Sequence, residues 1–347
     1  MKKSEEDAIF DEIAESIMEA ESRTVTIAEE LRGLKKEFRD ALERDMIHFV
    51  QQNTADFRVA AVDGGLLAEE LHGFDLVLSR TVGVFYEYDE GRLAKYDYYP
   101  EPQPPVKMSA LSGLDAHEFA WHKSLVRMQG EIGLAREMVE KFKPDYMLLD
   151  GSIVPQIADK PSEDSVVRPL YNDLVSMCIS LYESAHENGC KLIGVIKDSR
   201  GRRFIEMLGE AGIQTMRMGD TSLLTFMLRK GERTFAFYYS KQASEHNVLM
   251  DLGDWGKRVK AMYVKPVEID RPLRVEFICD DFPEIASVIY TLSCINRNYG
   301  YPAILIEADM RAALDRIELE RAYRSILSRV GPRANIMKLR RNMRPFR

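Results

Sequence analysis

VAAVDGG, residues 59–65, places one carboxylate between a run of small apolar residues and two glycines. The run reads as a buried strand that ends on an acid, and a desolvated carboxylate is costly without a positive partner. Asp63 therefore either meets a cation or caps a turn, because Asp-Gly pairs are ordinary turn formers. The pattern recurs downstream. DYMLLDGS (145–152) is an apolar strand closing on Asp150, a glycine and a small residue, and KLIGVIKDS (191–199) brings a third apolar strand to a charged corner at Lys197. Between them Leu170, Leu174, Met177 and Leu181 recur at helical spacing up to a stop at Asn188-Gly189. Strand, helix and strand in this order mark parallel βαβ units and an α/β class.

The flanking segments extend this frame. Residues 5–50 are strongly charged, with Ile9, Ile13 and Ile17, then Leu31, Leu34, Phe38 and Leu42, at helical spacing, and predict an amphipathic helical arm. FDLVLSRTVGVFYEY and GRLAKYDYYP, divided by the turn signal Asp89-Glu90-Gly91, predict antiparallel strands, and the prolines of EPQPPVKMS predict a loop. From Ala116 to Phe142 the pattern is helical, with Leu125, Met128, Ile132, Ala135, Met138 and Phe142 on one face, and Pro144 ends it. Residues 202–275 read as a mixed region with a helix and strands at TFAFYYS and RVKAMYVKP, whose topology the sequence does not assign. PEIASVIYTLSCINRN reads as a helix, the turn YGYP leads into a strand AILIEAD, and a helix follows; Asp309 then sits at a strand-to-helix handover.

Bulk properties narrow the class. With 347 residues, 45% of them hydrophobic, the chain can bury a substantial core. No apolar run approaches the roughly 18 to 20 residues of a membrane helix. The first residues are too acidic and polar for a secretory signal, so the cytoplasm is expected. Cys178, Cys190, Cys279 and Cys294 form no close pair and read as buried thiols, and the six histidines show no metal-binding spacing. A net charge of −8 argues against coating nucleic acid by bulk electrostatics but leaves room for a local basic surface. The tail, residues 331–347, is one candidate, with six Lys and Arg and no acid; a solvated, frayed terminus is the plain alternative.

Side chains at the carboxyl ends of neighbouring parallel strands converge on one crevice, so Asp63 and Asp150 face each other if their strands are adjacent. Two bare carboxylates would repel, and a magnesium or manganese ion, which takes oxygen ligands, would resolve the conflict. Glu131 lies three residues after Met128, beside the apolar stripe of its helix, and is a third candidate ligand, with a snorkelling edge residue as the alternative. Asp309 would complete a set of four, or serve only as a helix cap. Four acids around two cations suit phosphodiester hydrolysis without a protein nucleophile. The glycines after each aspartate are expected to leave room for the phosphodiester, and Lys197 and Arg200 to hold a nucleic-acid backbone.

These motifs, VAAVDGG, the helical Glu131, LLDGS, GVIKDS and GYPAILIEAD in that order over about Val59–Leu314, resemble the NurA nucleases. The resemblance implies an RNase H-like mixed sheet flanked by helices, with a helical C-terminal region. It implies manganese-dependent 5′ to 3′ exonuclease activity on single- and double-stranded DNA, single-strand endonuclease activity, and a homodimer. It further implies partnership with the hexameric HerA translocase in DNA end resection for recombinational repair. It places metal ligands at Asp63, Glu131 and Asp150; Asp309 stands where some relatives place a histidine. The expected organisation is a helical arm (1–52), a nuclease domain (53–330) and a basic tail (331–347). Two rival readings are an actin- or sugar-kinase-like ATPase, whose fold also ends strands in Asp-Gly, and a noncatalytic adaptor of a DNA motor.

Overall fold

Val59, Ala60, Ala61 and Val62 have no solvent exposure in the computed structural model, as a strand covered on both faces requires. The structure describes residues 5–71, 73–213 and 218–331. In chain order they form helix α1 (Glu5–Arg32), strands β1 (Ile47–Phe49), β2 (Phe57–Glu70), β3 (Asp75–Asp89), β4 (Arg92–Tyr99) and β5 (Lys107–Leu111), helix α2 (Ala116–Phe142), strand β6 (Tyr146–Asp150), helix α3 (Arg168–Glu187) and strand β7 (Lys191–Ile196). Helices α4 (Arg203–Glu210) and α5 (Asp220–Met227) follow, then strands β8 (Glu232–Thr234), β9 (Phe237–Tyr238), β10 (Lys260–Lys265) and β11 (Leu273–Phe277). Helices α6 (Phe282–Ser293), α7 (Ala303–Ala312) and α8 (Arg316–Val330) complete the described chain. Residues 332–347, nearly all of the basic tail, lie outside it.

The chain divides into two compact units: residues up to Asn53 with Val195–Lys241 and Val259–Pro302, and Thr54–Gly194 with Gln242–Arg258 and the segment from Ala303. In the second unit the strand order is β7-β6-β2-β3-β4, with β5 also on β3. β2 pairs antiparallel with β3 along its whole length, and parallel with β6 only from Val59↔Tyr146 to Val62↔Leu149. β3 turns into β4 through Glu90 and Gly91, both at positive φ, the geometry of a tight hairpin. α2 is capped at its start by Asp115, in a reciprocal pair with Glu118, and ends at Lys143 in the left-handed conformation just before Pro144. Its buried face packs on β2, β3 and α3. This mixed sheet flanked by helices matches the RNase H-like expectation.

In the first unit β1, β8, β10 and β11 lie in that order, all antiparallel where paired, with β9 on β10. The C-terminal half of α1, with Ala28 and Leu31 buried, rests on α5. Phe204, Phe235, Phe237 and Tyr263 fill the adjoining core.

Six expectations change. β2 does not end at Asp63 but runs seven residues further to Glu70, because β3 continues to pair with it after β6 stops. The helical arm stops at Arg32, and Leu34, Phe38 and Leu42 follow an irregular path. The loop assigned to EPQPPVKMS ends early, since Lys107 to Ser109 pair with β3. AILIEAD is a helix: Ile304, Leu305, Ala308 and Ala312 are buried at three-to-four spacing, which an Ile- and Leu-rich run hides when read as a strand. The following helix accordingly starts only at Arg316, capped by Asp315. Of the cysteines, Cys178 and Cys190 are buried, whereas Cys279 and Cys294 are only partly so.

Candidate metal centre

The parallel register sets the first two acids side by side. Val62 is opposite Leu149, so the next residue on each strand, Asp63 and Asp150, emerges where the parallel pairing stops. α7 packs across β2, β3 and β6 and delivers a third acid, Asp309. One carboxylate oxygen from each of Asp63, Asp150 and Asp309 lies within 4.8 Å of the others, and among the described residues no other group of three acids, histidines or cysteines is so arranged. Asp309 thus joins the site from the middle of a helix, neither from a strand end nor as a cap.

Two glycines after Asp63 make this packing possible, for a reason other than access of a phosphodiester. A Cβ on Gly65 would collide with the carbonyl oxygen of Ala312, so only glycine lets the end of α7 lie on β2. A Cβ on Gly64 would come 2.7 Å from Glu131 Oε1. Gly151 differs: its φ of 122° is one that L side chains rarely adopt, and the space beside it is open.

Glu131 stands outside the trio. It is buried on α2 against Gly64, and its Oε1 accepts a hydrogen bond from Arg127 at 2.7 Å, one helical turn earlier. Burial raises the Glu131 carboxyl to about 8, against the pull of Arg127 and with added push from Asp63 and Asp150. Burial likewise raises Asp63 to about 7, followed by the charge of Asp150; the Gly64 N–H, donating to Asp63 Oδ1 at 2.7 Å, opposes the rise. Carboxylates crowded to this degree hold protons near neutral pH unless a cation replaces them.

Reading the sequence misses two cations that shape the site. Arg127 is visible in hindsight as the i−4 neighbour of Glu131 on one helix. Arg80 on β3 leaves no sequence signal: it is buried and donates to the carbonyls of Pro104 and Ala313, both at 2.9 Å, and to Glu318 at 2.6 Å, so it ties the end of α7 and the start of α8 to the sheet. Lys197 and Arg200 belong to the other unit. Lys197 Nζ lies 4.4 Å from the centre of the Tyr301 ring, and Arg200 is exposed. Ser199 between them is fixed, its carbonyl accepting from Thr221 Oγ1 at 2.9 Å.

The family profile of the NurA domain matches residues 57–314, a span containing all four candidate acids. The chain belongs to the NurA nuclease family. Among solved structures it is similar to the NurA nuclease from Sulfolobus solfataricus, with 16% identity, 93% of this chain and 97% of that one covered, and a TM-score of 0.58. A further NurA crystal structure matches at 11% identity over 97% of this chain and all of the other, with a TM-score of 0.54. NurA bound to dAMP and manganese matches at 11% identity, covering 97% and 98%, with a TM-score of 0.50. These likenesses extend the NurA fold over both units. No curated protein matches the sequence.

The donor set fits a hard divalent cation. All three oxygens are carboxylate oxygens, among the described residues no thiol or imidazole joins them, and their mutual approach is unfavourable without positive charge. No helix among the described residues is long and apolar enough to cross a membrane.

Proposed function

We propose that this NurA protein is a manganese-dependent deoxyribonuclease, with magnesium as the alternative ion. The observation that carries the reading is the approach of Asp63, Asp150 and Asp309 within 4.8 Å at the edge of the parallel pairing. The manganese and dAMP bound by a protein of the same fold support the choice of ion and of a nucleotide substrate. Asp63, Asp150 and Asp309 would hold the metal, and Glu131, kept in place by Arg127, supplies the fourth acid that a two-ion arrangement calls for. The metal, when bound, activates the attacking water and steadies the leaving oxygen of a phosphodiester. The acids alone repel a phosphate, so a bound cation is what lets the substrate approach. Lys197 and Arg200 are assigned to the backbone phosphates, where Lys acts as a point charge and Arg as a fork.

The finer reading is 5′ to 3′ exonuclease activity on single- and double-stranded DNA with endonuclease activity on single strands. The enzyme acts in the cytoplasm as a homodimer with a HerA-like hexameric translocase, in end resection for recombinational repair. In this reading residues 1–52 form the arm, 53–330 the nuclease domain and 331–347 the tail.

Oligonucleotides labelled at the 5′ or 3′ end, incubated with manganese, with magnesium and with chelator, test the activity and its polarity together. Metal-dependent cleavage is expected, abolished by Asp63→Ala and by Asp150→Ala in variants that keep the native circular dichroism. Cleavage that survives chelator or either substitution contradicts the assignment.

A further inference from the structure

We propose that Asp220, Thr221, Tyr263 and Arg274 are positioning residues, a buried polar network that presets the loop Lys197–Arg202 for the sugar-phosphate backbone of DNA; this rests on the assignment of Lys197 and Arg200 to backbone phosphates. The loop and all four residues lie in one compact unit, within Val195–Lys241 and Val259–Pro302.

Between Lys197 and Arg202 the chain is neither helix nor strand, and irregular surface segments are ordinarily mobile. This one is anchored from beneath. The Ser199 carbonyl accepts from Thr221 Oγ1 at 2.9 Å, and the Gly201 carbonyl accepts from the Asp220 N–H at 3.0 Å. The Gly201 N–H donates to Ser199 Oγ at 3.1 Å, and that hydroxyl lies 3.4 Å from Tyr263 Oη, which donates to Asp220 Oδ2 at 3.0 Å. A Cβ on Gly201 would stand 2.7 Å from Arg274 Nη1 and 2.9 Å from Tyr263 Oη, so the loop backbone rests directly on the network. Asp220 and Tyr263 have no solvent exposure, and Arg274 is buried with Glu276, to which its Nε donates at 2.8 Å. Arg200 and Arg202 are exposed, and the Lys197 ammonium lies over the ring of Tyr301, whose hydroxyl donates to the Val195 carbonyl at 3.1 Å.

Stability alone is a weak reason for such a network. A buried ion pair is often no more stabilising than apolar residues of the same volume, whereas a satisfied polar network rigidifies what it touches. What it touches here is a loop carrying Lys197, Arg200 and Arg202. Fixing that loop before DNA arrives spares an ordering cost of about 0.5–1.5 kcal/mol per immobilised side chain.

Binding of a fluorescein-labelled single-stranded oligonucleotide to the full chain, followed by anisotropy over a salt series, tests this. Lys197→Ala and Arg200→Ala are each expected to lower the slope of log affinity against log salt by about 0.7, the loss of one phosphate contact on a single strand. Thr221→Val and Tyr263→Phe, which stay close to the native shapes, are expected to weaken binding about three- to tenfold at unchanged slope, because the contacts survive and only their preorganisation is lost. In manganese-dependent cleavage these two variants are expected to show the loss in KM rather than in kcat. If both keep the native circular dichroism and bind within about twofold of the unmodified chain, the positioning role is overturned, while slope losses in Lys197→Ala and Arg200→Ala leave the phosphate assignment standing. If the slopes of Lys197→Ala and Arg200→Ala do not change, the phosphate assignment fails and the positioning role falls with it.

Discussion

At the scale of single residues, Asp63 and Asp150 are legible because their meaning depends on local pattern: each follows a short apolar run, and the parallel pairing of their strands brings the two positions together. Replacing either by Ala is expected to lower cleavage on the order of a thousandfold or more, since metal-bound charge stabilisation supplies several kcal/mol; single-turnover assays with manganese measure it. The roles of Gly64 and Gly65 are not legible, because the groups that need the space, Glu131 and the Ala312 carbonyl, come from distant helices. The two positions are expected to differ. Gly65→Ala forces backbone against backbone and should cost about 1–3 kcal/mol in urea unfolding, with weaker manganese binding as α7 shifts. Gly64→Ala meets the end of a side chain that can move, and its loss should be smaller.

At the scale of elements, α2 is readable from end to end because its cap, its stripe and its terminating proline all lie in one continuous stretch. α7 is not. Its run of Ile and Leu carries no cap signal, and only its burial against β2 and β3 makes the period of three to four decisive. What holds α7 in place is again remote in sequence: Arg80, 233 positions before Ala313. Arg80→Ala leaves the buried Pro104 carbonyl, the Ala313 carbonyl and Glu318 without this donor, at a cost of about 2–4 kcal/mol. This variant is expected to unfold at lower urea and, when folded, to bind manganese more weakly, because Asp309 loses its fixed position. Titration calorimetry at a urea-free reference temperature separates the two effects. In the other unit Asp220 is buried and accepts from the Phe204 and Ile205 N–H groups and from Tyr263 Oη, at 3.1, 2.9 and 3.0 Å. It caps α4 from a distance of sixteen residues, and Asp220→Ala should cost about 2–3 kcal/mol, read by the same unfolding curves.

At the scale of the whole molecule, strand partners far apart in sequence explain why residues 202–275 have no readable topology: β1 pairs with β8 across 187 residues at Ile47↔Thr234, and no local pattern announces such a pairing. The acid cluster has a consequence for the stability of the entire chain. Asp63 and Glu131 titrate near 7 and 8 in the folded state, above their ordinary values. The folded chain therefore binds more protons than the unfolded chain between about pH 4 and 8, and its metal-free stability falls as pH rises through that window. Thermal unfolding in chelator is expected to show a falling melting temperature from pH 5 to pH 8, and manganese to restore more at pH 8 than at pH 5. Asp63→Asn should flatten the metal-free profile.

The most direct measurement is diffraction from crystals soaked in manganese, with data collected for anomalous scattering. A peak enclosed by Asp63, Asp150 and Asp309 is expected, lost in the Asp63→Ala variant. A soaked crystal with no anomalous density among these three carboxylates, or with manganese bound only elsewhere, would contradict it.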